Sequence, residues 1–141
     1  MHLQFPDDKG PTVKRLIVDL DHTITSGAPD GYAHAVPNNA VIDQLRRYRR
    51  DGFTIVVCTS RSMRTYEGNI GKINANTLPI AVDWLRQHDV PFDEIYVGKP
   101  WCGHEGFYID DRAVRPSEFV SMSYAEIEQM LNKEKETPSC S

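Results

Sequence analysis

Leu16-Ile17-Val18-Asp19-Leu20-Asp21-His22-Thr23 decides how this chain of 141 residues is read. An apolar run ends in two carboxylates two residues apart. Charges at the end of a buried strand are costly to desolvate, so such a pair implies a cation or a reaction to serve. In an extended chain, residues two apart point the same way, and Asp19 and Asp21 therefore face one place.

The same ingredients recur downstream. Thr59 follows Ile55-Val56-Val57-Cys58, Lys99 follows Ile95-Tyr96-Val97-Gly98, and Asp110-Asp111 follows Phe107-Tyr108-Ile109. Each polar group sits just past a strand-like apolar run. A nucleophile, a hydroxyl, a cation and an acid pair of the metal-binding kind, all at strand ends, make one enzyme-like site.

The run from Val13 to Asp19 fits a central strand covered on both faces. Ile24 to Val36 is a short segment with Gly27, Pro29 and Gly31 as turn markers. Pro37-Asn38-Asn39 opens a helix with Val41, Ile42, Leu45 and Tyr48 at helical spacing, closed by Asp51-Gly52. Phe53 to Cys58 reads as a second strand, and Arg61 to Asn76 is polar and takes no assignment. Thr77 and Pro79 mark the start of a helix with Ile80, Val82, Trp84 and Leu85 as apolar positions. Glu94 to Val97, Gly106 to Ile109 and Phe119-Val120 are expected to be the third, fourth and fifth strands. Ser123-Tyr124-Ala125-Glu126 is a capping box opening a last helix through about Asn132.

Alternation of this kind predicts an α/β fold, a three-layer Rossmann-like open parallel sheet of about five strands with helices on both faces. Ligands of such sheets bind beyond the carboxyl ends of the strands. All four polar clusters fall there.

The totals are those of a globular domain, with 40% hydrophobic and 26% charged residues. Residues 13–132 are expected to form a single catalytic domain, after a flexible leader over 1–12 and before a polar tail over 133–141. A net charge of −4 argues against nucleic acid as the main partner, because phosphate-binding surfaces leave a basic footprint. Cys58, Cys102 and Cys140 are odd in number and lack paired spacing, which suits a reduced, cytoplasmic setting. No apolar run approaches the length of a membrane span. The basic cluster Arg46-Arg47 and Arg49-Arg50 reads as a solvated helix face, the alternative being a contact for a phosphate-rich polymer.

The ordered set Asp19-x-Asp21-x-Thr23, Thr59, Lys99 and Asp110-Asp111 resembles the haloacid dehalogenase superfamily of phosphatases, over about Leu16 to Asp111. The resemblance implies that Asp19 attacks phosphorus to form an aspartyl-phosphate. It implies that Asp21 protonates the leaving oxygen and then activates water. Lys99 would neutralise charge on the phosphoryl oxygens while Thr59 donates a hydrogen bond to one of them. A phosphate beside several carboxylates needs a cation, and the superfamily's is Mg²⁺. By resemblance Asp19, the backbone carbonyl of Asp21 and Asp110 hold it, with Asp111 assisting. His22 departs from the pattern, since Gly is usual there; its ring is expected to point to solvent, the alternative being that it faces the pocket and touches substrate.

Neither Ile24 to Val36 nor Arg61 to Asn76 is long enough for a cap domain, so the chain resembles a capless member with a small flap and an open site. A second copy of the chain would then be one way to cover that site. Ser60, Arg61, Arg64 and Lys72, in and near the polar loop, and His104 beyond Lys99-Pro100 are candidate substrate contacts. The stretches Thr65 to Asn74, Gly98 to Gly103 and Phe107 to Arg112 are similar to small phosphatases associated with bacterial capsular polysaccharide biosynthesis. That similarity implies a small phosphorylated sugar or polyol as substrate. Two rival expectations are a phosphatase for nucleotides or nucleic-acid ends, and a non-catalytic phosphoryl-binding or scaffold protein.

Overall fold

The structure, a computed structural model, describes residues 13–136. The leader expected over 1–12 and residues 137–141 of the tail lie outside the described residues.

Three parallel strands form the sheet: β1 (Arg15–Val18), β4 (Thr54–Cys58) and β5 (Glu94–Tyr96), in the order β1-β4-β5. Between β1 and β4 lie a two-stranded antiparallel hairpin, β2 (Thr25–Gly27) with β3 (Val36–Pro37), and helix α1 (Asn39–Arg50). Between β4 and β5 lie α2 (Ile70–Asn76) and α3 (Leu78–Gln87). The chain finishes with α4 (Pro116–Ser121) and α5 (Tyr124–Glu136). No helix of the described residues is long and apolar enough to cross a membrane.

Local chemistry explains the elements that the periodicity anticipates. Asn38 caps α1 by accepting from the Val41 backbone N–H. Gly52, at φ 92°, takes the left-handed conformation that lets the chain turn directly from α1 into β4. Val41, Ile42, Leu45 and Tyr48 of α1 are all buried. They join Ile55 and Val57 of β4 and Ala81, Trp84 and Leu85 of α3 in one core. The Ser123–Glu126 capping box forms at the start of α5, with reciprocal bonds of 2.9 and 3.2 Å.

Four expectations need correction. First, β4 and not β1 is the central strand. Ile17 is paired in register with the buried Val56 but is 60% exposed, because β1 has a neighbour on one side alone among the described residues. On that face of the sheet Tyr96 is exposed as well, so the expected helical cover on both faces is incomplete. Second, among the described residues the sheet has three strands instead of about five. Gly106 to Ile109 takes no strand pairing, and Phe107 and Ile109 are 75% and 87% exposed. Phe119-Val120 lies inside α4, because Pro116 starts a helix whose turn carries Phe119 onto Tyr48, ring centroids 5.1 Å apart.

Third, the polar segment left unassigned contains α2, capped by Asn69 accepting from the Lys72 N–H. A helix this short has too few apolar positions for its period to show. Fourth, α5 continues to Glu136, past the boundary expected near Asn132.

Candidate active site

Asp19 follows β1 directly and keeps extended backbone angles. The chain then turns over Leu20–Ile24, with Asp21 still extended and His22 at φ 60°, ψ 22°. Leu20 and Ile24 anchor the turn in the core at 0% exposure. The left-handed angle at His22 is the conformation that glycine adopts without penalty. The His22 side chain is exposed.

Each oxygen of Asp19 has one partner among the described residues. Oδ2 accepts from Thr23 Oγ1 at 3.3 Å, and Oδ1 from Lys99 Nζ at 3.4 Å. Lys99 also lies over the Tyr108 ring, Nζ 4.3 Å from its centroid. The Tyr108 hydroxyl donates to the Pro100 carbonyl at 2.6 Å, which fixes that ring. Asp19 keeps a third of its side chain exposed, so a ligand can reach it.

Backbone bonds bring the second and third strand ends together. The Thr59 N–H donates to the Tyr96 carbonyl at 2.9 Å, and the Lys99 N–H to the Thr59 carbonyl at 3.2 Å. Gly98 makes the approach possible. At φ 86° it turns the chain toward Lys99, and a Cβ there would stand 2.6 Å from Ile70 Cδ1. The Thr59 side chain is buried, and its oxygen accepts from the Arg61 N–H at 3.0 Å.

Asp21 is gripped at both oxygens by Arg61: Nε to Oδ2 at 3.0 Å and Nη2 to Oδ1 at 2.7 Å. The Arg61 side chain is 1% exposed, with the Tyr32 ring centroid 4.0 Å from Cζ. Arg61, a candidate substrate contact in the sequence, is here the partner of the second acid. Tyr32 is a site residue that sequence reasoning missed. It sits in a short helical turn, Tyr32–His34, between β2 and β3, and nothing in its spacing points to Arg61.

Asp19, Asp21, Thr59 and Lys99 therefore converge, with Arg61 joined to both Asp21 and Thr59. Ser60 is half-buried, and its carbonyl accepts from the Met63 N–H. Arg64 Nη1 meets His104 Nε2 at 3.1 Å, and both pack on Trp101 in an exposed group. Lys72 is exposed on α2. Asp110 and Asp111 are exposed on the turn after Ile109. The Asp110 carboxylate accepts from the Arg112 N–H at 3.0 Å, and that backbone donor, followed by a bond from Asp111, holds its carboxyl below the usual range.

A hard cation needs several oxygens at one point. Asp19 and the carbonyl of Asp21 have the right chemistry, but the third carboxylate is not with them. Among the described residues no group of three or more His, Cys, Asp or Glu side chains is arranged to hold a metal ion. In this arrangement the Mg²⁺ set is incomplete.

No protein-family profile matches the chain. It is similar to proteins named D-glycero-beta-D-manno-heptose-1,7-bisphosphate 7-phosphatase from Escherichia coli K12 and from Shigella flexneri. Each is 33% identical over 98 residues, covering 66% of this chain and 48% of the relative. The chain thus spans about half the length of the curated relatives it matches. A crystal structure of a target protein from Vibrio cholerae superposes with a TM-score of 0.85 at 61% identity, covering 86% of this chain and 99% of that one.

Proposed function

We propose that the chain is a phosphomonoester hydrolase of the haloacid dehalogenase type, acting through an aspartyl-phosphate on a sugar or polyol phosphate, a reading supported by its similarity to proteins named as phosphatases. The observation that carries this reading is the state of Asp19. It is a partly exposed carboxylate at a strand end, with Lys99 on one oxygen and a hydroxyl on the other. Such a group is fixed in direction and open to an incoming phosphorus.

In the first displacement an Asp19 oxygen bonds to phosphorus, the ester P–O bond breaks, and Asp21 gives the leaving oxygen a proton. Water then attacks the acyl phosphate, Asp21 takes the proton, and phosphate leaves with the Asp19 carboxylate restored. Lys99 offsets charge on the phosphoryl oxygens. Thr59 accepts from a backbone N–H, which leaves its own proton for a phosphoryl oxygen. Both Asp21 oxygens accept from Arg61, so each proton transfer needs one of them released from the fork.

Mg²⁺ belongs to the reading as the ion that would lower repulsion between phosphate and carboxylates, held by Asp19, the Asp21 carbonyl and Asp110 with Asp111 assisting. Those last two acids stand apart here, and no step is routed through the ion. The names of the curated relatives support a sugar phosphate as substrate.

The decisive experiment measures phosphate release from a panel of phosphomonoesters, with Mg²⁺ and with chelator. Asp19→Asn is expected to abolish turnover of every substrate that the native chain accepts. A variant retaining activity near that of the native chain would overturn the nucleophile assignment.

A further inference from the structure

Arg61 has a second neighbour besides Asp21. It also lines a cleft of about 250 Å³, whose other lining residues include Tyr32, Ser62, Thr65, Asn76 and Ile80. Arg61 Nη1 is buried and has no hydrogen-bond partner among the described residues. The fork to Asp21 uses Nε and Nη2 alone. A buried donor left unpaired carries a desolvation cost that a ligand oxygen would remove.

The charge balance of the cleft selects the ligand. Arg61 is its one cationic lining group, and that charge is already offset by Asp21 at 2.7 Å. The other polar lining groups are hydroxyls and an amide, including Ser62, whose oxygen accepts from Thr77 at 2.7 Å. Tyr32 and Ile80 add apolar surface of the kind that covers the C–H face of a sugar. A second phosphate would find no uncompensated cation there, whereas a neutral polyhydroxylated group would find both donors and acceptors.

We propose that this cleft is the subsite for the leaving alcohol of the substrate, and that it takes a compact neutral sugar or polyol. The proposal rests on the phosphatase reading of Asp19. With the phosphoryl group at Asp19, the acid serving the leaving oxygen is Asp21, and the arginine that grips Asp21 is also a lining residue of the cleft. Arg61 Nη1 donates to a hydroxyl of the alcohol once the Tyr32 ring, 45% exposed on its turn, rocks aside.

The test compares kcat/KM on sorbitol 6-phosphate and fructose 6-phosphate with kcat/KM on p-nitrophenyl phosphate. Thr65→Val keeps size and removes one hydroxyl; it should lower the polyol-to-aryl ratio by about fivefold, as loss of one neutral hydrogen bond implies. Ile80→Trp, at a position 41% exposed, should fill the cleft and lower the ratio further. Fructose 1,6-bisphosphate should show no advantage over fructose 6-phosphate. If p-nitrophenyl phosphate is not hydrolysed by the native chain, the phosphatase reading fails. If it is hydrolysed and both variants leave the ratio unchanged, the cleft is not the subsite. A marked preference for the bisphosphate would overturn the neutral class of ligand.

Discussion

Arg61 and Asp21, forty residues apart in the chain, are joined by two parallel hydrogen bonds of 3.0 and 2.7 Å. The guanidinium is nearly inaccessible, while the carboxylate keeps 28% of its side-chain exposure. The pair fixes the Asp21 carboxylate in direction and makes it part of the fold's stability.

Asp21→Asn therefore costs stability, because the buried guanidinium loses its counter-charge. The expected loss is about 2–3 kcal/mol, below that of a fully buried pair because Asp21 keeps some water. Asp19→Asn, at a more exposed pair, should cost less than about 1 kcal/mol. Urea unfolding of the two variants checks the contrast, and equal midpoints would show that the fork contributes nothing.

His22 occupies left-handed backbone at φ 60°. His22→Gly relieves that strain but adds freedom to the unfolded chain, for a net gain of up to about 1 kcal/mol. His22→Ala should give no gain. Thermal denaturation of both variants decides, and a glycine variant less stable than the native chain would contradict the strain argument.

Trp84 ties α3 to the hairpin that carries Tyr32, its Nε1 donating to the Ala35 carbonyl at 2.9 Å in a buried contact. Trp84→Phe leaves that carbonyl unpaired, at a cost of about 1–3 kcal/mol. Amide exchange should rise in the Thr25–Pro37 segment more than in α1. Uniform exchange across the two would show that the bond does not hold the hairpin.

If Asp110 completes a Mg²⁺ set with Asp19, then Asp110→Asn should raise the Mg²⁺ concentration for half-maximal activity by about tenfold or more, the size of effect expected when one ligand is weakened. Chelator should abolish native activity and added Mg²⁺ restore it. An unchanged Mg²⁺ requirement in the variant would remove Asp110 from the set.

Local patterns carried well in this chain. The α1 stripe, the β4 run, the Thr77–Pro79 start of α3 and the Ser123 capping box each depend on residues within a turn or two of one another. The apolar run Phe107 to Ile109 looked equally strand-like, yet a strand exists by pairing, and none is formed there. Phe119-Val120 failed for another reason: two apolar residues suit either period, and Pro116 tips the segment to helix.

For the site, the sequence by itself placed Asp19, Asp21, Thr59 and Lys99 at strand ends, because alternating strands and helices bring those ends to one edge of a sheet. Only the tertiary structure decided who holds whom. Lys99 reaches Asp19 across eighty residues, and Arg61 closes on the acid instead of standing free in a loop. Tyr32 covers it from a hairpin whose turn markers gave no sign of that contact. Such pairings are set by burial and by the register of distant strands, where the cost of an unpaired charge selects one partner among many. No spacing along the chain records that choice.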